Sequence, residues 1–200
     1  GVVMAGNNDG KYLRHGKEKY VPTEDLFKDI YRVDFPNVGI LEVYPNRDSL
    51  PYIELYGIPE TKTMFRGTFR YDKWCEILDA FKSINLLSYD KFNMEGMSYA
   101  DLMARMIGVE SSEDIKAKTA EKLGIAETSD PIVAMEWVGL FDQTPMNRKE
   151  DSPFEVVSDI MIAKMMIRSD ERDMVVMQHT FVAKYPNGNE EVIKSRMLDF

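Results

Sequence analysis

The chain has one cysteine and two histidines among 200 residues, and these scarcities exclude several kinds of site. Cys75 alone forms no disulfide within the chain and supports no cysteine-only metal site, and it is typical of a protein from a reducing compartment. His15 and His179 lie far apart in the sequence and belong to no H-x-x-x-H pattern. We therefore expect no metal site, and we expect a cytoplasmic protein.

Long apolar runs and an excess of basic residues are also missing. No stretch approaches the roughly 20 apolar residues of a membrane-spanning helix, so no membrane partner is expected. The 34 acidic residues outnumber the 25 lysines and arginines, and the formal net charge is −9. This balance argues against a nucleic-acid partner, which needs a basic face. An anionic small molecule stays possible as a ligand, because nearby arginines outweigh distant, screened carboxylates.

The motifs of complete enzymes are absent as well. No G-x-G-x-x-G opens a strand–helix unit, so we predict no cofactor-binding residue in this chain. The glycines and lysine of residues 6–11 are one residue short of G-x-x-x-x-G-K, and Tyr12 replaces the required Ser or Thr, which indicates a turn. No G-x-S-x-G elbow and no recognisable acid/base pair of carboxylates is found, so the catalytic residues are unknown.

The hydrophobic pattern predicts an α+β fold with a mixed, largely antiparallel sheet and packed helices. Residues 73–145 carry helical periodicity with an N-cap at Ser98 and no strand signal, between two strand-rich ends. Residues 186–189 form a hairpin turn whose two strands imply a sheet of at least four strands. We predict a sheet domain made of residues 1–72 and 146–200, with 73–145 inserted as an all-helical subdomain.

The densest polar chemistry lies between Tyr44 and Tyr71, in two clusters that each follow a strand-like segment. They are Asn46-Arg47-Asp48-Ser49 and Arg66-Gly67-Thr68-Phe69-Arg70. Arginine matches carboxylates in bidentate geometry, and hydroxyls and amides add finer contacts, so these residues indicate a site for a small ligand that bears carboxylates. The alternative is a surface turn followed by an edge strand with solvated charges, and the pattern alone favours that alternative.

Three strings in this stretch carry a family resemblance: YPNRDS from Tyr44, PYIELYGIPE from Pro51 and RGTFRY from Arg66. They resemble the substrate-binding domain of saccharopine dehydrogenases of the glutamate-forming type, although Phe69 takes a position usually held by leucine. The resemblance continues weakly through residues 136–140 and 173–177. It implies an NAD(P)-dependent oxidoreductase of lysine metabolism, which interconverts saccharopine with L-glutamate and 2-aminoadipate semialdehyde.

The resemblance also implies roles for the clustered residues. Saccharopine has three carboxylates, and Arg47 with Arg66 or Arg70 would bind them. Arg66, Thr68 and Arg70 share one face of an extended strand, which fits the floor of a polar pocket. The other polar residues, Asn46, Asp48, Ser49 and Thr68, would orient the amines or support the arginines. For Asp48 we favour the second role, in which it fixes Arg47.

On the same resemblance, NAD or NADP is bound by a Rossmann domain that is absent from this chain, and the enzyme is a homodimer. We therefore expect a substrate-binding fragment of an oxidoreductase. Two alternatives stay open. One is a related polyamine-pathway dehydrogenase of the carboxynorspermidine type, which would set acidic residues against a diamine. The other is a non-catalytic dimerisation module in which the arginines are structural.

Overall fold

The computed structural model describes residues 2–200, and their contacts divide the chain into two units that meet between Lys164 and Met165. The helices are α1 Val2–Ala5, α2 Pro51–Leu55, α3 Trp74–Ser83, α4 Tyr99–Ile107, α5 Ile115–Leu123, α6 Asp130–Val138 and α7 Pro153–Met165. The strands are β1 Gly10–Arg14, β2 Lys17–Val21, β3 Tyr31–Phe35, β4 Gly39–Pro45, β5 Arg47–Asp48, β6 Gly67–Tyr71, β7 Phe92–Asn93, β8 Glu150–Asp151, β9 Val175–Lys184 and β10 Glu190–Asp199. No helix within residues 2–200 has the length and apolar character needed to cross a membrane.

The strands form several small sheets. Strands β3, β4 and β6 make an antiparallel sheet with β4 in the centre, and β1 pairs antiparallel with β2 and parallel with β5. Strands β7 and β8 pair with each other, as do β9 and β10. The predicted α+β class with largely antiparallel pairing is confirmed. Within residues 2–200 no sheet has more than three strands, so the expected sheet of four or more strands is not formed there.

Residues 73–145 hold helices α3 to α6, as their periodicity predicts. Helix α4 begins with a capping box, in which Ser98 and Asp101 each accept a hydrogen bond from the other's backbone N–H, and it ends at Gly108 in the left-handed conformation. The expectation of no strand in this region was wrong, because β7 pairs with β8. A strand of two residues is too short to show an alternating pattern.

One hydrophobic core joins the helices to the sheet. Tyr44 of β4 and Phe27 pack with ring centroids 5.2 Å apart and lie in the same buried cluster as residues of α3, α4, α6 and α7. Representative members from those helices are Leu78, Phe81, Met103, Met135 and Val157. The core therefore crosses both predicted regions, and the insertion of 73–145 as a separate subdomain stays a prediction.

The sheet of β3, β4 and β6 has two different faces. One face is aromatic, with Phe35 and Phe69 6.0 Å apart between ring centroids. On the other face the register sets Tyr44 opposite Thr68 and Glu42 opposite Arg70. Because side chains alternate along a strand, this second face brings hydroxyls, a carboxylate and a guanidinium together.

The second unit is dominated by the β9–β10 hairpin, whose strands are paired from Val175 with Asp199 to Lys184 with Glu190. The turn between them lies where the sequence predicts it. Alternation places exposed apolar side chains on one face of this hairpin: Val175, Met177, Phe181, Ile193 and Met197.

Candidate functional site

The two polar clusters of the sequence lie side by side. The backbone N–H of Asn46 donates to the carbonyl of Arg66 at 2.9 Å, which continues the β4–β6 ladder one residue beyond β6. Because side chains alternate between the two faces of a sheet, Arg66, Thr68 and Arg70 lie on the same face as Tyr44. The structure thus joins residues that are about twenty positions apart in the chain.

Arg66 is held by its backbone and by its side chain. Its N–H donates to the hydroxyl oxygen of Ser49 at 2.9 Å, and Ser49 is only 1% exposed. Its guanidinium carbon lies 4.1 Å from the ring centroid of Tyr52 in α2. Stacking of this kind leaves the edge of a guanidinium available for hydrogen bonds, so Arg66 is oriented while its donors stay accessible to a ligand.

Arg70 lies at the junction of the sheet and α3. Its guanidinium carbon is 5.9 Å from the ring centroids of both Tyr44 and Trp74, and one terminal nitrogen donates to the carbonyl of Phe69 at 2.9 Å. Its Nε is buried and has no hydrogen-bond partner within residues 2–200, and the same holds for the hydroxyl of Tyr44. Burial raises the pKa of Tyr44, and the positive charge of Arg70 offsets part of that rise.

Glu42, which sequence reasoning missed, supports this junction. Its side chain is 1% exposed, and one carboxylate oxygen accepts the N–H of Cys75 at 2.8 Å in the first turn of α3. The other oxygen lies 3.4 Å from a guanidinium nitrogen of Arg32. A single charge within the apolar run of residues 38–43 is the signal that could have pointed to it, because a buried carboxylate needs partners.

The first cluster is more exposed. Arg47 is exposed and adopts a positive φ of 57°, which is uncommon for a residue with a side chain. The carboxylate of Asp48 accepts the N–H of Leu50 at 2.8 Å, just before α2 begins, and no ion pair joins Asp48 to Arg47 in the described chain. Asp48 therefore shapes the turn before α2, and its support of Arg47 stays a prediction.

Among the described residues the arginines of the site form no ion pair, which they share with Arg14, Arg105 and Arg172. Arg32 pairs with Glu42 and Asp72, and Arg148 pairs with two aspartates. Among residues 2–200, by contrast, no carboxylate lies within 4.0 Å of the guanidinium groups of Arg47, Arg66 or Arg70. In a chain with a net charge of −9, these three positive charges stay available for an anionic ligand.

An open cavity of about 610 Å³ borders the first cluster. That volume lies in the range of small-molecule sites. Its lining combines a lysine and two carboxylates with apolar side chains from α2 and the following turn: Lys11, Asp48, Leu50, Pro51, Ile53, Glu54, Gly57 and Pro59.

The glycines near the N-terminus do not fit a dinucleotide. A Cβ at Gly10 would lie 2.6 Å from the Cβ of Pro45, so this glycine permits close packing of neighbouring strands and does not cradle a phosphate. Lys11 lies 3.4 Å from Glu18. In the described part of the chain, no three His, Cys, Asp or Glu side chains are grouped as metal ligands.

Comparison with known proteins gives concordant matches. A family model described as the saccharopine dehydrogenase C-terminal domain matches residues 1–199. The mitochondrial alpha-aminoadipic semialdehyde synthase of Bos taurus is 32% identical over 201 residues, covering 96% of this chain and 21% of the relative. The NADP(+)-dependent, L-glutamate-forming saccharopine dehydrogenase of Saccharomyces cerevisiae is 30% identical over 212 residues, covering 100% of this chain and 46% of the relative.

A solved structure agrees with these matches. The apo structure of the L-Glu-forming saccharopine dehydrogenase from Saccharomyces cerevisiae superimposes with a TM-score of 0.86 at 28% identity. The superposition covers the whole of this chain and 46% of the yeast chain. The chain thus spans less than half the length of the relatives that it matches here.

Proposed function

Because the chain belongs to the saccharopine dehydrogenase C-terminal domain family, we propose that it provides the substrate-binding site of an NAD(P)-dependent oxidoreductase of lysine metabolism. The reaction is the interconversion of saccharopine with L-glutamate and 2-aminoadipate semialdehyde. One observation carries the proposal: three arginines beside one polar face of the sheet have no carboxylate partner in the described chain. Saccharopine has three carboxylates and would supply those partners.

The physical argument is strongest for Arg66 and Arg70. An arginine that is ordered against aromatic rings has already lost side-chain freedom before a ligand arrives, so less entropy is lost on binding. Arg66 lies over Tyr52, and Arg70 lies between Tyr44 and Trp74. Their role in the reaction is to hold the substrate in position, which is a contribution separate from proton transfer.

The cofactor is NAD or NADP, and residues outside this chain hold it. NADP has the support of the yeast relatives, which are named as NADP(+) enzymes. The part proposed for residues 2–200 is to bind and orient the substrate.

The polyamine-pathway alternative fits the site less well. A diamine needs carboxylates, whereas the residues proposed here to bind the ligand include three arginines and a single carboxylate, that of Asp48. The non-catalytic alternative makes a different prediction, namely that no small molecule binds specifically. Ligand binding therefore separates it from the enzyme.

We also propose that the enzyme is a cytoplasmic homodimer. The exposed apolar face of the β9–β10 hairpin supports self-association, because such faces mark contact surfaces. The buried, reduced Cys75 is consistent with the cytoplasm, although the bovine and mouse relatives are named as mitochondrial. Light scattering of the full-length protein tests the dimer.

The decisive experiment is isothermal calorimetry of the full-length polypeptide with saccharopine. Arg66→Ala removes a charged, stacked donor, so we expect the affinity to fall about 10- to 100-fold. Arg105→Ala is the matched control, because Arg105 also lies over an aromatic ring, 3.9 Å from the centroid of Phe92, but far along the chain from the site. Unchanged affinity in Arg66→Ala would contradict the proposal at that position.

A further inference from the structure

We propose that a basic strip at the tip of the β1–β2 hairpin attracts the anionic ligand and guides it towards the candidate site. The strip consists of Arg14, Lys17 and Lys62. This inference rests on the proposed function, because it assigns a route by which the ligand of that site arrives. The strip raises the rate of association and does not contact the bound ligand.

The strip is assembled from two separate parts of the chain around one tight turn. Arg14 ends β1 and Lys17 begins β2, and the register places them directly opposite each other. The third cation comes from the loop that follows α2. There the carbonyl of Lys62 accepts the N–H of Gly16 at 2.7 Å, and a Cβ at Gly16 would lie 3.9 Å from the Cδ of Lys62.

The positive charges of the strip are not neutralised within the fold. All three side chains are exposed, and within residues 2–200 no carboxylate lies within 4.0 Å of their charged groups. Like charges directly opposite each other in an antiparallel pair repel, so Arg14 and Lys17 do not stabilise the hairpin by their pairing. Exposed charges left unpaired in this way act on ions in the surrounding solution.

Other lysines of the same hairpin show the contrast. Lys11 of β1 lies 3.4 Å from Glu18, and Lys19 of β2 pairs with Asp29. The hairpin therefore pairs the charges along its length and leaves those at its tip free.

The backbone connects the strip directly to the candidate site. Leu13 and Met64 exchange backbone hydrogen bonds of 3.0 and 2.9 Å, which joins β1 to the segment that leads to Arg66. Four residues of chain place the Cα atoms of Lys62 and Arg66 at most about 14 Å apart. At an ionic strength of about 0.01 M the Debye length is roughly 30 Å, so the strip and Arg66 then form one continuous positive field.

The uneven distribution of charge makes the direction of approach important. Residues 1–73 contain equal numbers of acidic and basic residues, whereas acidic residues outnumber basic ones in residues 74–164. An anion that approaches the acidic region is repelled, and the strip offers an attractive approach on the side of the site. Steering of this kind acts on the association rate much more than on the dissociation rate.

The test reverses two charges of the strip, by Lys17→Glu together with Lys62→Glu, in the full-length polypeptide. We expect the association rate constant for saccharopine, measured by stopped flow at low ionic strength, to fall about 3- to 10-fold while the dissociation rate constant is kept. The difference should shrink at physiological ionic strength, where the Debye length is about 8 Å. The melting temperature should not fall, because Lys17→Glu places opposite charges across the ladder from Arg14.

Lys91→Glu together with Lys122→Glu is the matched control. This variant changes the net charge by the same amount, at two exposed lysines of residues 74–164 that form no ion pair in the described part of the chain. Its association rate constant should stay within about two-fold of the wild-type value.

Three outcomes would overturn parts of this reasoning. An unchanged association rate in the strip variant, or an equal loss in the strip and control variants, removes the steering role and leaves the proposed function standing. Faster dissociation with unchanged association also removes it, because the lysines would then contact the bound ligand. If the wild type itself binds no saccharopine, the proposed function fails, and the role of the strip fails with it.

Discussion

Ser49 offers the sharpest test of how the two clusters are joined. Its hydroxyl oxygen accepts the N–H of Arg66, while its own N–H donates to the carbonyl of Lys11 at 2.7 Å. Ser49→Ala removes the first bond only. The variant keeps the turn but leaves the N–H of Arg66 without its acceptor. Water cannot easily take the place of that acceptor, because the position of Ser49 is only 1% exposed.

The expected loss follows from that geometry. A buried N–H left without a partner costs about 1–3 kcal/mol, and the small gain from a buried methyl group offsets little of it. For a protein of this size, each kcal/mol corresponds to a shift of about 2–4 °C in the melting temperature. Urea unfolding followed by circular dichroism, together with thermal melts, measures both quantities.

The control is Ser83→Ala, at an exposed serine whose hydroxyl donates to the carbonyl of Asp79 within α3 at 2.8 Å. Its effect on the free energy of unfolding should stay within about 0.5 kcal/mol. If Ser49→Ala proved as mild as this control, the Ser49–Arg66 bond would contribute nothing, and the account of how Arg66 is positioned would be wrong.

Two further predictions concern groups with shifted pKa values. Hydrogen bonds from the backbone of Ser98 and the hydroxyl of Ser112 lower the pKa of Asp101 in the capping box of α4. At pH values above the pKa that Asp101 has in the unfolded chain, its carboxylate therefore stabilises the fold. This stabilisation disappears as the pH falls through the lower pKa that Asp101 has in the folded protein. Asp101→Asn should therefore lower the free energy of unfolding by about 0.5–2 kcal/mol at neutral pH, as measured in urea titrations, and should have almost no effect in acid. A loss of stability that is the same at both pH values would contradict this. Burial and the charge of Glu42 raise the pKa of the Cys75 thiol. A disulfide reagent should therefore label Cys75 only after denaturation. Rapid labelling of the folded protein would show that Cys75 is not buried.

Features with strong local signals were predictable from sequence. The N-cap at Ser98 and the closing hairpin turn depend on residues within a few positions of each other. Pairings between distant segments were not predictable in this way. The parallel contact of β1 with β5 and the two-residue ladder of β7 with β8 have no local pattern, because they depend on how the rest of the chain packs.

The site shows the same division. The residue types of the two clusters predicted carboxylate chemistry, and the bonds from Arg66 to Asn46 and Ser49 show that these clusters adjoin. The support of Arg47 by Asp48 stays a prediction, and the one bond seen for that carboxylate within residues 2–200 is to the backbone N–H of Leu50. The unpartnered hydroxyl of Tyr44 could not be predicted, since hydrogen-bond satisfaction depends on three-dimensional surroundings.

The position of Trp74 has an optical consequence. These 200 residues contain two tryptophans, of which Trp137 is 55% exposed and Trp74 lies partly buried beside the guanidinium of Arg70. Indole emission responds to the electric field around the ring, and an anion that pairs with Arg70 changes that field. Trp74 is thus an intrinsic fluorophore placed at the candidate site, and Trp137→Phe isolates its emission in a polypeptide limited to these 200 residues. Occupancy can then be followed in real time without a label.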